Sequence, residues 1–200
     1  MDGFFVAVDP FFIKGGTERM LLSIEQFFSF MSRLMGRLLT IVFLLMTANV
    51  FYDVVMRYFF RNSSVAMQEM EWHLFAIVIL FGVSVALLEE GHVRVDFFYD
   101  RFSVRTKAVI NIIGTVFFLL PLAFLVFFTS YDFVVDSYKI KEISENPGGL
   151  PYRYVIKGMI PLAFATLMFN AIGYTVKNII LYRQNTTSEI LHTVAGEERP

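Results

Sequence analysis

Four long apolar stretches, each without a charge at its centre, decide most of what this chain can fold into. A bilayer core is about 30 Å thick and an α-helix rises about 1.5 Å per residue, so a span needs roughly 20 apolar residues. Residues 38–56 qualify, with no charge before Asp53. Residues 70–88 follow, charge-free from Trp72, an aromatic suited to the membrane interface. Residues 108–131 contain no charge and carry Pro121 near the middle, where a kink is expected. Residues 158–177 begin after Lys157 and end at Lys177, whose ammonium groups reach toward headgroups. None of the four alternates apolar with polar residues, which excludes barrel strands. In lipid the backbone must satisfy itself, so the blocks are helices. The expected fold is all-α and integral to the membrane, with four transmembrane helices. The 56% hydrophobic content agrees, since soluble domains sit near 45–50%.

Outside these blocks little chain remains for a second domain. Residues 1–16 form an N-terminal extension that does not read as a cleavable signal peptide: Asp2 replaces a basic start and Pro10 interrupts it. From 17 to 37, apolar residues at 20, 21, 24, 27, 28, 31, 34 and 35 leave Glu18, Arg19, Glu25, Arg33 and Arg37 to the other face. That spacing predicts an amphipathic helix in the membrane plane, capped by Thr17. Residues 183–200 are polar and read as a flexible tail. Lys and Arg set the orientation. Lys14, Arg19, Arg33, Arg37, Arg94, Arg101, Arg105, Lys107, Lys177, Arg183 and Arg199 fall on one side. Arg57, Arg61, Lys139, Lys141, Arg153 and Lys157 fall on the other. The richer side is expected to be cytoplasmic and to hold both termini.

The absence of cysteine excludes disulfides, thiolate metal sites and thiol redox chemistry. A net charge of −1 with no basic run gives no reason to expect nucleic acid as a partner. His73 is the one histidine in a span, while His92 and His192 belong to the opposite side, so paired axial haem ligands are not expected. No span has a mid-depth carboxylate for proton coupling, and no Ser–His pair shares a depth. The residues therefore imply no cofactor, no metal and no enzyme. Asn49, Thr47 and Asn170 read as helix-bridging amides and hydroxyls, and Gly82, Ser84, Gly114 and Gly173 as close-contact positions.

Charges gather at the membrane surfaces instead. Asp53 and Arg57 pair at i, i+4 on the first helix. Glu69 and Glu71 open the second, where the helix dipole favours carboxylates. Glu90, His92, Arg94 and Asp96 alternate in sign after its end, around the helix-stopping Gly91. Asp132 and Asp136 share a face after the third span, and Gly148, Gly149 and Pro151 mark a turn-rich loop leading to Arg153 and Lys157. For any one of these, a solvated loop position is the simpler reading; as a set they are candidates for a partner interface or for structural pairing.

Two longer segments carry a resemblance. SVAMQEMEWHLFAIVILFGVSVALLEEGHVRVDFFYDRFS at 64–103 and EISENPGGLPYRYVIKGMIPLAF at 142–164, with Arg57-Tyr58, resemble the small membrane subunit (DctQ-type) of tripartite ATP-independent periplasmic (TRAP) transporters. The similarity runs over roughly residues 20–182 and is nearest to the mannitol/chloroaromatic-type branch. It implies a bacterial inner-membrane system in which a periplasmic solute-binding protein captures an organic acid or related solute. A large membrane subunit (DctM-type) then moves that solute by a sodium-driven elevator motion. The small subunit braces the stationary part, and cation and substrate sites lie in the large one. The alternatives are a stand-alone channel or exporter, a structural subunit of another membrane complex, and a membrane enzyme or electron carrier.

Overall fold

The computed structural model describes residues 16–88 and 102–195. Among the described residues the chain forms α1 (Gly16–Phe59), α2 (Val65–Leu88), α3 (Val104–Gly114), α4 (Leu120–Lys139) and α5 (Arg153–Ala195). A π-helical turn, Thr115–Leu119, joins α3 to α4, so Val104–Lys139 forms one rod. Four helices among the described residues are thus long and apolar enough to cross a membrane.

The expected break at Pro121 takes the form of that π turn. Proline offers no N–H to the preceding turn, and the ladder re-registers just ahead of it, with Leu120 N–H donating five residues back to Thr115 C=O. Ser103 starts α3, its hydroxyl accepting from Thr106 N–H at 3.2 Å. Two boundaries differ from the sequence expectation. Residues 17–37 are helical but continuous with the first span, because Gly36 alone costs only about 1 kcal/mol and no proline intervenes. The tail also stays helical to Ala195, since no glycine or proline occurs between 174 and 195, and Gly196 follows.

Contacts give the helices their directions. Asn49 Nδ2 donates to Met67 C=O at 2.9 Å, and Gly36 faces Val85, so α1 and α2 are antiparallel. Asn170 Nδ2 donates to Ser84 C=O and Oγ at 3.0 and 2.9 Å, in a fully buried pair that aligns α2 with α5. Asn111 Nδ2 donates to Asn178 Oδ1 at 2.9 Å, and Asn178 donates on to Tyr174 C=O, tying α3 to α5. Arg105 both hydrogen-bonds the Tyr182 hydroxyl at 2.7 Å and lies over its ring. α5 therefore sits against every other helix, and the core gathers on it: Phe28, Leu87, Leu88, Ala123, Leu167, Ala171 and Tyr174.

Of the bridging positions, Asn49 and Asn170 span helices, whereas the Thr47 hydroxyl donates to Phe43 C=O in its own helix. Of the small residues, Ser84 is fully buried and a Cβ on Gly173 would lie 2.6 Å from Phe28. Gly82 and Gly114 have open space around them.

The N-terminal half of α1 packs on α5 as well as α2. Phe28 packs on Gly173 and, with ring centroids 4.5 Å apart, on Phe169. Gly36 faces Val85 of α2, next to the Ser84 that meets Asn170. The buried side of this half carries Leu21, Ile24, Phe28 and Met31, while Met20, Phe27, Phe30, Leu34 and Leu38 remain exposed.

Candidate functional site

A connected network of polar side chains lies at the end of the bundle carrying the 60–64 and 140–152 connections. α4 stops at Ile140, and Lys141 turns the chain in the left-handed region with φ 50°. Glu142 N–H then returns to Ser137 C=O at 3.0 Å, and Arg153 N–H donates to Glu142 C=O at 3.0 Å. Between them Asn146-Pro147-Gly148-Gly149 forms a turn closed by Gly149 N–H to Asn146 C=O at 3.0 Å. Pro147 presets the first corner and Gly148, at φ 81°, supplies the second, as a type II turn requires. Ser144 N–H bonds Leu150 C=O at 3.2 Å and closes the loop on itself.

Glu69 of α2 reaches into this loop as its anchor. Its carboxylate accepts from the Ser144 hydroxyl, from Asn146 Nδ2 at 3.1 Å and from Leu150 N–H at 2.7 Å. Charge-assisted bonds of this kind are roughly twice as strong as neutral ones. A Cβ on Gly149 would fall 2.7 Å from a Glu69 oxygen and collide with Ser144, so the close approach needs glycine there. A second carboxylate repeats the device: Glu142 takes the Lys157 ammonium of α5, which also lies 4.0 Å above the Phe133 ring of α4. The Lys157 ammonium holds the Glu142 carboxyl below its usual range. Tyr138, Tyr152 and Tyr154 stack edge to face around the same corner. The result is a clamp that fastens α2, α4 and α5 together through one loop.

The sequence-selected residues divide accordingly. Glu69, Gly148, Gly149, Arg153 and Lys157 converge on the clamp. Pro151 leads out of it, exposed, just before Tyr152, whose φ of 64° turns the chain into α5. Asp53 is 3% exposed and pairs with Arg57 on α1, apart from the loop. Asp136 pairs with Lys139 at 3.3 Å on the exposed end of α4, and Asp132 is exposed. Glu71, half-buried on α2, is not part of the clamp. Glu90, His92, Arg94 and Asp96 lie outside the described residues. Sequence reasoning missed Glu142, Ser144 and Asn146. Their signal was the S-x-N-P-G-G pattern, in which the serine hydroxyl accepts from a backbone N–H two residues on, here Asn146 at 3.1 Å.

The sequence model of one family, the DctQ component of tripartite ATP-independent periplasmic transporters, matches residues 46–180. The chain belongs to the DctQ family. The matched region holds the last part of α1, all of α2 to α4 and most of α5, hence the whole clamp. It starts later than the resemblance read from the sequence, leaving the N-terminal half of α1 outside it. No match was found among curated proteins or among solved structures. As a DctQ chain, this is a small membrane subunit of a TRAP transporter, multi-pass by its four apolar helices.

Proposed function

We propose that this DctQ chain is the scaffold that anchors a large, DctM-type membrane subunit during uptake of an organic acid or related solute. The solute is delivered by a periplasmic binding protein and its movement is sodium-coupled. The chain sits in a bacterial inner membrane with both termini cytoplasmic, as its Lys and Arg distribution favours. The family match over 46–180 carries this reading. Two physical features support it. Each span is free of ionisable groups in its middle, so the coupling machinery belongs to another polypeptide. In the isolated chain, α1 and the α3–α4 rod bury less of themselves than α2 and α5 do, and they present Leu44, Phe51, Phe117, Phe118 and Leu125 outward. Those faces are apolar enough for lipid or for the flank of a membrane partner.

An elevator needs a base that resists tilting, and the amphipathic N-terminal half of α1 is the segment proposed to act as an in-plane brace. Leu21, Phe28 and Met31 turn toward the bundle, so the residues that would hold the bilayer are Phe27, Phe30 and Leu34. At the clamp end Glu69 is committed within the chain, which leaves Glu71, Asp132 and Asp136 as charges to meet the binding protein or the large subunit. Charge reversal there should slow transport in a salt-sensitive way.

Reconstitution tests the proposal. Vesicles holding the large subunit, the binding protein and this chain should accumulate solute along a sodium gradient, and omission of this chain should abolish uptake. Accumulation by this chain alone would overturn the assignment. Asp at Phe27, Phe30 and Leu34 together should weaken assembly or transport; unchanged activity would remove the brace.

A further inference from the structure

Beside the clamp, between α2 and α5, lies a cavity of about 510 Å³. Val65, Trp72 and Ile156 form its apolar wall, and Gln68, Glu69, His73, Asn146, Arg153 and Lys157 its polar one. Among the described residues the half-buried Arg153 guanidinium makes no hydrogen bond or ion pair. The nearby charges are already engaged: Glu69 with Ser144, Asn146 and Leu150 N–H, and Lys157 with Glu142. The Arg153 guanidinium therefore offers uncommitted donors to a space large enough for a ligand, with Gln68 and His73 beside it, while the Glu69 carboxylate and Lys157 ammonium on the same wall are already held by the loop and by Glu142.

The position of the cavity narrows what that ligand is. It sits at the end of two membrane-spanning helices, and Trp72 at its rim is 69% exposed, as an aromatic at a lipid interface is. From that rim an exposed apolar stripe, Phe75, Ile79 and Val83, continues down α2 into the span. These residues recur at three and four positions and so share one helix face. A charged group at the top and a hydrocarbon track below match a lipid, not a soluble anion. We propose that this cavity binds the phosphodiester headgroup of a glycerophospholipid, with its acyl chain along Phe75, Ile79 and Val83. The guanidinium takes two phosphate oxygens in a fork, Gln68 and His73 donate from the side, and Trp72 covers the glycerol region. The lipid then seals the gap between α2 and α5 at the clamp and gives the Arg153 guanidinium a hydrogen-bonded partner.

Native mass spectrometry of the full chain, purified with its transporter partners and partly delipidated, tests this. Phosphatidylglycerol should be retained by the wild type and its occupancy should fall about tenfold in Arg153→Gln, the loss of one charge-assisted fork. Ile156→Glu, which leaves Arg153 and the clamp intact but adds a carboxylate to the cavity wall, should lower occupancy similarly. Lys139→Gln, at the exposed end of α4, should not. Diacylglycerol without phosphate should not bind, and excess glycerol 3-phosphate or inorganic phosphate should not displace the lipid. Equal retention in wild type and both cavity variants overturns the proposal, as does displacement by soluble phosphate, which would make the cavity a site for free anions.

Discussion

The clamp end and the interior of this bundle are fastened by different chemistry. At the clamp end, ionised carboxylates draw in hydroxyl, amide and ammonium donors: Glu69 holds Ser144, Asn146 and Leu150, and Glu142 holds Lys157. Midway along the same helices the ties are neutral, before Arg105 meets Tyr182 at the far end. Asn170 meets Ser84, Asn178 meets Asn111, and the α1 arm is seated by Phe28 against Gly173. The difference follows the solvent. Near the headgroups a neutral hydrogen bond competes with water, so a charge is needed to hold a loop. Deeper in, a bare charge is costly, and amides that satisfy one another align helices without it.

The largest test of that contrast is Glu69→Ala. It leaves two side-chain donors and one backbone N–H without their acceptor, and should loosen the loop between α4 and α5. Hydrogen exchange at Gly149 and Leu150 should speed by about a hundredfold, while amides around Asn170 stay protected. Loss of protection throughout would show that clamp and interior are one cooperative unit. Next is Gly173→Ala, whose Cβ meets the Phe28 ring and should destabilise the α1 arm by about 1–3 kcal/mol. Adding Phe28→Ala should return part of that in a thermal melt, and an absence of coupling would place the arm elsewhere. Asn170→Ala should cost about 1 kcal/mol, since hydrogen bonds between membrane helices average less than this and seldom exceed twice it. The smallest effect belongs to Glu142. Its carboxyl is lowered in the folded protein, so its contribution is present above the unfolded value, about 4.3, and fades as pH falls through the lower folded value. Glu142→Gln should flatten the acid side of the stability profile, and a profile unchanged from wild type would assign the acid sensitivity to another group.

Legibility in the sequence tracked the same division. The four spans and the family were readable, because twenty uninterrupted apolar residues have few other folds and the motifs at 64–103 and 142–164 are long. The turn at Asn146–Gly149 was readable from Pro and Gly alone. That Glu69 closes this loop was not, because the partners are 75 to 81 residues apart and each, taken singly, reads as a solvated position. The amphipathic pattern over 17–37 announced a helix but not its course, since periodicity names two faces without saying which packs.

Local chemistry, then, determined what is helical, where the helices stop near proline and glycine, and that they belong in lipid. Tertiary structure decided that α5 is the element all others lean on, that Phe28 rather than Phe27 faces it, and that a carboxylate on α2 holds a loop between α4 and α5. Helix formation and lipid transfer are sums over neighbouring residues. Clamps and crossings depend on which distant donors arrive within 3 Å of one acceptor, and that is a property of the assembled bundle.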